Sequence, residues 1–271
     1  MDYLSRCSLR FLSKHGTRRR ILKGGEDGSQ LNLLIDQWFS SPLGATVLRA
    51  QKAKIEPFIT RNFGYHILQL GCSETHSLIQ ESPVGHKILF SPTYHGNVKQ
   101  AVASNEELPL ADDVIDVVLI HHALDFTEDS HKLLREATRV LRPGGRLIIL
   151  GFNPYSNWGV CRLLNRRAGI PWCGRYISSR RIIDWLKLLQ LQLDDLSYNL
   201  HFMPLPYSKL LKYTQAVEDW GNKFRSPLGG AYCIVSTKQV QPLTPVSPRW
   251  RPLRARAAVM PVTERVRVEV D

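Results

Sequence analysis

The sequence predicts an α/β protein built on a doubly wound, mostly parallel sheet with a helical cap at its N-terminal side. Three observations carry this. Val114 to Gly151 reads as strand, crossover helix, turn and strand with sharp boundaries; apolar β-branched runs recur near Tyr65, Lys87 and Ala231; and the first run follows two amphipathic helical stretches.

In chain order, residues 1–28 form a basic leader in which Arg6, Arg10, Lys14, Arg18, Arg19, Arg20 and Lys23 stand among serines. A targeting peptide, an upstream start codon and a disordered leader all fit that composition, while the lack of an apolar run after the arginines disfavours a secretory signal. From Ser29 to about Gly64 the pattern is helical. Leu31, Leu34, Ile35, Trp38 and Phe39 share one face, and Pro42 opens a second helix carrying Leu43, Val47, Leu48 and Ile55. Tyr65 to Leu70 is the first strand, Gly71 its turn, and Lys87 to Ser91 the second strand.

Val114 to Ile120 is apolar except for Asp116, as a strand buried on both faces should be, and His121 and His122 end it. Thr127 is the expected cap of the next helix, with Glu128 and Asp129 in its first turn and Leu133, Leu134, Ala137, Val140 and Leu141 on the sheet-facing side. Pro143, Gly144 and Gly145 stop it, and Arg146 to Gly151 forms another strand. Ser178 or Ser179 caps a helix bearing Ile182, Ile183, Trp185, Leu186 and Leu189. A strand, a helix from about Tyr207 to Phe224 and a last strand at Ala231 to Thr237 complete one domain over 29–240. Residues 241–271, with five prolines and six arginines, read as a disordered tail.

With 271 residues and 43% hydrophobic content, the chain can bury one full α/β core plus extensions. The net charge of +12 suggests nucleic acid until it is located: residues 1–25 carry +6 and residues 241–271 carry +3, leaving the globular part only weakly basic. Five cysteines without a CxxC pair point to a reducing, cytoplasmic compartment, and no apolar run approaches the roughly 20 residues that span a bilayer. His66, His76, His86 and His95 lack metal-ligand spacing, so no metal is expected.

The segments LPLADDVIDVVLIHHALDF and LLREATRVLRPGGRLIIL resemble the second half of class I S-adenosylmethionine-dependent methyltransferases, specifically the type-11 methyltransferase domain. Leu108-Pro109-Leu110 stands where that family has Leu-Pro-Phe, Ile115-Asp116 where it has Phe-Asp, and Arg139 to Gly145 where it has Arg-Val-Leu-Lys-Pro-Gly-Gly. The resemblance implies a seven-stranded Rossmann-like methyltransferase fold with S-adenosyl-L-methionine as cofactor. It spans about Ile67 to Gly151. Toward its start the pattern departs: Gly71-Cys72-Ser73-Glu74-Thr75 keeps one glycine of the family's Gly-x-Gly-x-Gly loop, and no carboxylate occupies the ribose-binding place near Phe90 and Ser91. Ser104, followed by Asn105 and Glu106, stands where the family often has an adenine-binding Asp.

By this resemblance the cofactor-binding residues are Gly71, Cys72, Ser73, Ser91, Ser104, Asn105, Leu108 and His121. A glycine at 71 lets backbone approach a ligand at the carboxyl end of a strand, and a valine there should fill the crevice without unfolding the domain. His121 and Asp125 are the candidate acid-base groups, with His122 beside them; side-chain alternation allows only one of the adjacent histidines to face the cofactor. Otherwise one histidine packs and the other bonds to backbone. Arg162, Arg166, Arg167, Arg175, Arg180 and Arg181 occur with no Asp or Glu between Asn153 and Ile183. Either they form a solvated face, or Arg162, Arg166 and Arg167 bind an anionic acceptor by guanidinium forks. The leading helices either cover the cofactor or pack without touching ligand.

The function expected is methyl transfer to a small-molecule, anionic acceptor. The alternative is a methyltransferase-like binding or assembly subunit that has lost catalysis and works with a protein partner. A dinucleotide oxidoreductase is weakened because Gly71-Cys72-Ser73 is no G-x-G-x-x-G fingerprint, and nucleic-acid modification would need more basic residues on the globular part.

Overall fold

The two leading amphipathic stretches fold as α1 (Glu26–Phe39) and α2 (Pro42–Thr60) in a computed structural model that describes residues 26–71, 76–91, 101–104, 106–164, 169–204, 214–223 and 226–239. The leader before residue 26, the tail from 241, and the site candidates Cys72, Ser73, Asn105, Arg166 and Arg167 lie outside the described residues. Leu31, Ile35 and Phe39 are buried, but Leu34 is 50% exposed. The buried stripe is centred on Ile35, and residue 34 falls a full helical step round from it. Ser41 caps α2, its hydroxyl accepting from Gly44 N at 3.1 Å with Pro42 in the first turn.

The strands are β1 (His66–Leu70), β2 (His86–Ser91), β3 (Ala101–Val102), β4 (Ile115–His121), β5 (Leu141–Phe152), β6 (Leu191–Asn199) and β7 (Ala231–Lys238). They form one seven-stranded sheet in the order β3-β2-β1-β4-β5-β7-β6, in which β7 alone runs antiparallel to its neighbours. The direction of winding reverses between β1 and β4, so a crevice opens at their carboxyl ends. Alternate residues of the central strands feed two cores. Leu68, Val118, Ile120, Leu147 and Ile149 meet Leu133, Ala137 and Ile182 on one face; Ile67, Val117, Leu119 and Ile148 meet Ile55 and Ile59 of α2 on the other.

After β4 come the short α3 (Ala123–Phe126) and the main crossover helix α4 (Ser130–Val140). The cap of α4 is Asp129, not Thr127: its carboxylate accepts from His131 N at 3.0 Å and Lys132 N at 2.9 Å. Formation of α3 moves the helix start downstream, where a carboxylate both caps and meets the helix dipole. Thr127 closes α3 and donates its hydroxyl to Glu106 at 3.2 Å.

Strand β5 starts five residues before the expected Arg146. Ile115 pairs with Leu141 and Val117 with Arg146, so Arg142 to Gly145 bulge opposite Asp116, with Gly144 at φ +78°. Asp116, the one polar residue of β4, holds this junction together. It pairs with Arg142 and accepts from the backbone N of Tyr65 at 2.6 Å and of His66 at 2.8 Å. A β-carbon at Gly64 would lie 2.5 Å from its carboxyl carbon.

The remaining helices are α5 (Asn157–Leu164), α6 (Ser179–Leu188) and α7 (Thr214–Lys223). Ser178 is the N-cap of α6 without a side-chain cap bond, while Ser179 shares a 2.9 Å hydrogen bond with the Tyr198 hydroxyl. The expected start of α7 at Tyr207 lies outside the described residues. Among the described residues no helix is long and apolar enough to cross a membrane.

Candidate active site

At the carboxyl end of β4 the chain departs from strand geometry. His122 has φ 54°, so the alternation of side chains ends at His121 and both imidazoles come to one partner. Strand alternation therefore does not carry past His121, and the two rings share a partner on α2. That partner is Gln51, fully buried on α2: its Oε1 lies 2.9 Å from His121 Nε2 and its Nε2 lies 2.7 Å from His122 Nε2. His122 Nδ1 is 2.9 Å from Asp125 Oδ2, which also accepts from Phe152 N at 3.0 Å. Asp125 is placed by α3, and its carbonyl accepts from Arg175 N at 2.6 Å.

Aromatic rings seal this polar string. Phe39 of α1 lies 5.1 Å from the His121 ring, and Phe152 stacks on His122 at 4.0 Å and on Tyr176 at 4.9 Å. Burial lowers the pKa of both histidines, that of His122 to about 3, and His121 is lowered further by His122 and His76. Both imidazoles are neutral at pH 7. Burial raises the Asp125 carboxyl, opposed by the Phe152 N–H and by the Arg162 guanidinium. His121 Nδ1, Asp125 Oδ1 and the Tyr176 hydroxyl are buried polar atoms without a hydrogen-bond partner among the described residues.

Gly71 has φ +122°, and a β-carbon there would stand 2.2 Å from the carbonyl oxygen of His121. The glycine thus lets the β1 turn close against the end of β4, beside the histidine pair. Ser91 ends β2, the strand next to β1. Ser104 is exposed; its hydroxyl accepts from Glu106 N at 3.2 Å. Leu108 is buried, and its loop is tied to α4: its N–H donates to Glu136 at 3.2 Å, and Arg139 donates to the carbonyls of Leu108 at 3.1 Å and Leu110 at 2.9 Å.

The arginine segment divides. Arg162 Nε donates to Gly174 O at 2.9 Å with its guanidinium 4.9 Å from the Tyr176 ring, which places it beside the Asp125 cluster. Arg175 donates to Glu128 O at 2.7 Å, and Arg181 lies over Trp185 at 5.3 Å. Three of the histidines without metal-ligand spacing have close polar neighbours: His66 Nδ1 is 2.9 Å from His86 Nδ1, and His76 Nε2 is 3.3 Å from Asp36 Oδ1.

Sequence reasoning missed Gln51. The signal was there: Val47, Gln51, Ile55 and Ile59 recur every four residues on the buried side of α2, so a glutamine occupies a core position of an otherwise apolar stripe.

Comparison with known proteins agrees with this architecture. The family described as "Methyltransferase domain" matches residues 83–149. The uncharacterized protein YafS of Escherichia coli K12 is 33% identical over 214 residues, covering 77% of this chain and 83% of YafS. The ubiquinone/menaquinone biosynthesis C-methyltransferase UbiE of Vibrio campbellii is 48% identical over 58 residues, which is 21% of this chain and 22% of UbiE. Among solved structures, a SAM-dependent methyltransferase of Thermotoga maritima superposes with TM-score 0.59 at 17% identity, covering 78% of this chain and 97% of its own.

Proposed function

We propose a function for this chain from the fact that it belongs to the class I S-adenosylmethionine-dependent methyltransferases. It transfers a methyl group from S-adenosyl-L-methionine to a small-molecule acceptor bearing an anionic group, in a reducing, cytoplasmic compartment. The observation that carries this reading is the juxtaposition, at the switch point of the sheet, of the Gly71 turn with His121, whose Nδ1 is buried without a hydrogen-bond partner among the described residues.

The residues present fit the cofactor. Gly71 puts no side chain between the turn and the crevice, and by the family resemblance Cys72, Ser73, Ser91, Ser104, Asn105, Leu108 and His121 are assigned to cofactor binding. When bound, the cofactor supplies a methyl group already activated by its sulfonium, so the chain's task is orientation and exclusion of water. Neutral His121 accepts the proton that the acceptor must lose, and Asp125 fixes His122 next to it. Arg162, with Arg166 and Arg167, holds the acceptor's anionic group.

Similarity to a quinone C-methyltransferase supports methyl transfer and leaves the acceptor open. The full chain, given methyl-tritiated cofactor and a panel of carboxylate, phosphate and neutral small molecules, should label an anionic acceptor. His121→Asn should abolish labelling even at cofactor concentrations that saturate the variant. No labelling across the panel, with cofactor bound, would turn the reading toward a binding subunit.

A further inference from the structure

The two ends of the Gln51 amide have opposite hydrogen-bonding capacity, and each faces an imidazole. Gln51 Oε1 only accepts, so His121 must present Nε2–H across their 2.9 Å contact. Gln51 Nε2 only donates, so His122 Nε2 must be bare across its 2.7 Å contact. A neutral His122 bare at Nε2 carries its proton on Nδ1, which is 2.9 Å from Asp125 Oδ2, an oxygen already oriented by the Phe152 N–H. With Asp125 accepting, the opposite orientation of the amide would turn a bare His122 Nδ1 toward it, lone pair against lone pair; only a proton carried on Asp125 Oδ2 would reverse the order. Asp125 therefore sets His122, His122 sets Gln51, and Gln51 sets His121.

We propose that Gln51 is a positioning residue of this site: one amide from the cap, clamped between two buried histidines, fixes which nitrogen of each holds the proton and leaves His121 Nδ1 as the bare, proton-accepting atom. Of the four imidazole nitrogens of the pair, it is the one without a hydrogen-bond partner among the described residues. The inference deepens the methyl-transfer reading and rests on it for the chemistry alone; the proton order stands on geometry.

The test is nuclear magnetic resonance of the full chain with 15N-labelled histidine, using long-range nitrogen–proton correlations at neutral pH and assigning signals with His121→Asn and His122→Asn. The wild-type protein should show His121 protonated at Nε2 and His122 at Nδ1. Gln51→Met, which keeps the length and removes both contacts, should leave His122 at Nδ1, since Asp125 still holds it, and release His121 into a mixture of tautomers. In an acceptor assay the same variant should lose about tenfold or more in kcat with KM for the cofactor unchanged. A wild-type His121 protonated at Nδ1, or a His121 tautomer unmoved by Gln51→Met, would overturn the inference. Should Gln51→Met fail to fold, the wild-type spectrum alone decides. The proposed proton order in a protein that binds no cofactor would count for Gln51 and against the methyl-transfer reading.

Discussion

Nδ1 of His122 lies 2.9 Å from Oδ2 of Asp125, and both side chains are sealed from solvent. In water such a pair would be imidazolium and carboxylate; here burial pushes the histidine down and the carboxyl up, so the charge-separated form is disfavoured. The sign of this effect is measurable. His122 titrates at about 3 folded against 6.5 unfolded, so its folded state binds fewer protons and loses stability as pH falls below 6.5, by up to about 1.4 kcal/mol per pH unit. Asp125, raised by folding, runs the opposite way, but it is common to wild type and a His122→Asn variant; asparagine tolerates the positive φ at 122. The wild type's stability advantage over that variant should shrink from pH 7 to pH 4 in denaturant titrations. An advantage that grows toward acid would mean a cationic His122 paired with an ionised Asp125.

Gly71 separates a packing role from a ligand role. A larger residue was expected to fill the crevice and spare the fold, but the first atom it adds meets the His121 carbonyl, and φ +122° is strained for any L side chain. Gly71→Ala should destabilise the domain by on the order of 3 kcal/mol as well as weaken cofactor binding. Unchanged thermal melting would show that the turn relaxes freely.

Asp116 should be more costly to lose than a surface acid. Its carboxylate serves two backbone N–H groups at the start of β1 and Arg142 on the β5 bulge. Asp116→Ala should cost about 3 kcal/mol in urea unfolding, and Asp116→Asn less, because an amide oxygen still accepts one N–H.

Arg139 ties Leu108, Leu110 and Asp112 to Glu136 of α4 through one guanidinium. Arg139→Met should release the Leu108 loop and weaken cofactor binding about tenfold, or about 1.4 kcal/mol, with a smaller effect on melting. Equal affinity by calorimetry would remove that loop from the binding site.

The sheet was legible because a strand buried on both faces, such as Ile115 to Ile120, is apolar wherever its side chains have no polar partner, Asp116 being the partnered exception, and because Pro143-Gly144-Gly145 marks a break in any context. The same reading placed that break outside the strand, since pairing across a bulge opposite Asp116 depends on a carboxylate distant in sequence. Asp129 displaced Thr127 as a cap because a four-residue helix formed between β4 and α4, which local propensity does not foretell. At the candidate site, His121 and Asp125 drew notice from their place at and just after the end of β4. Their link through Gln51 was not, because it joins residues 70 positions apart and requires the positive φ of His122. The anionic-acceptor role of the arginines still rests on composition: Arg162 stands beside the Asp125 cluster, and Arg166 and Arg167 lie outside the described residues.

The most direct measurement is calorimetric titration of the full chain with S-adenosylmethionine and with its demethylated product at moderate salt. Binding of both in the micromolar range, about −8 kcal/mol, is the result predicted for a site built on Gly71 and His121 without a ribose carboxylate. No heat from either ligand at high protein concentration, confirmed by a second binding assay, would contradict it.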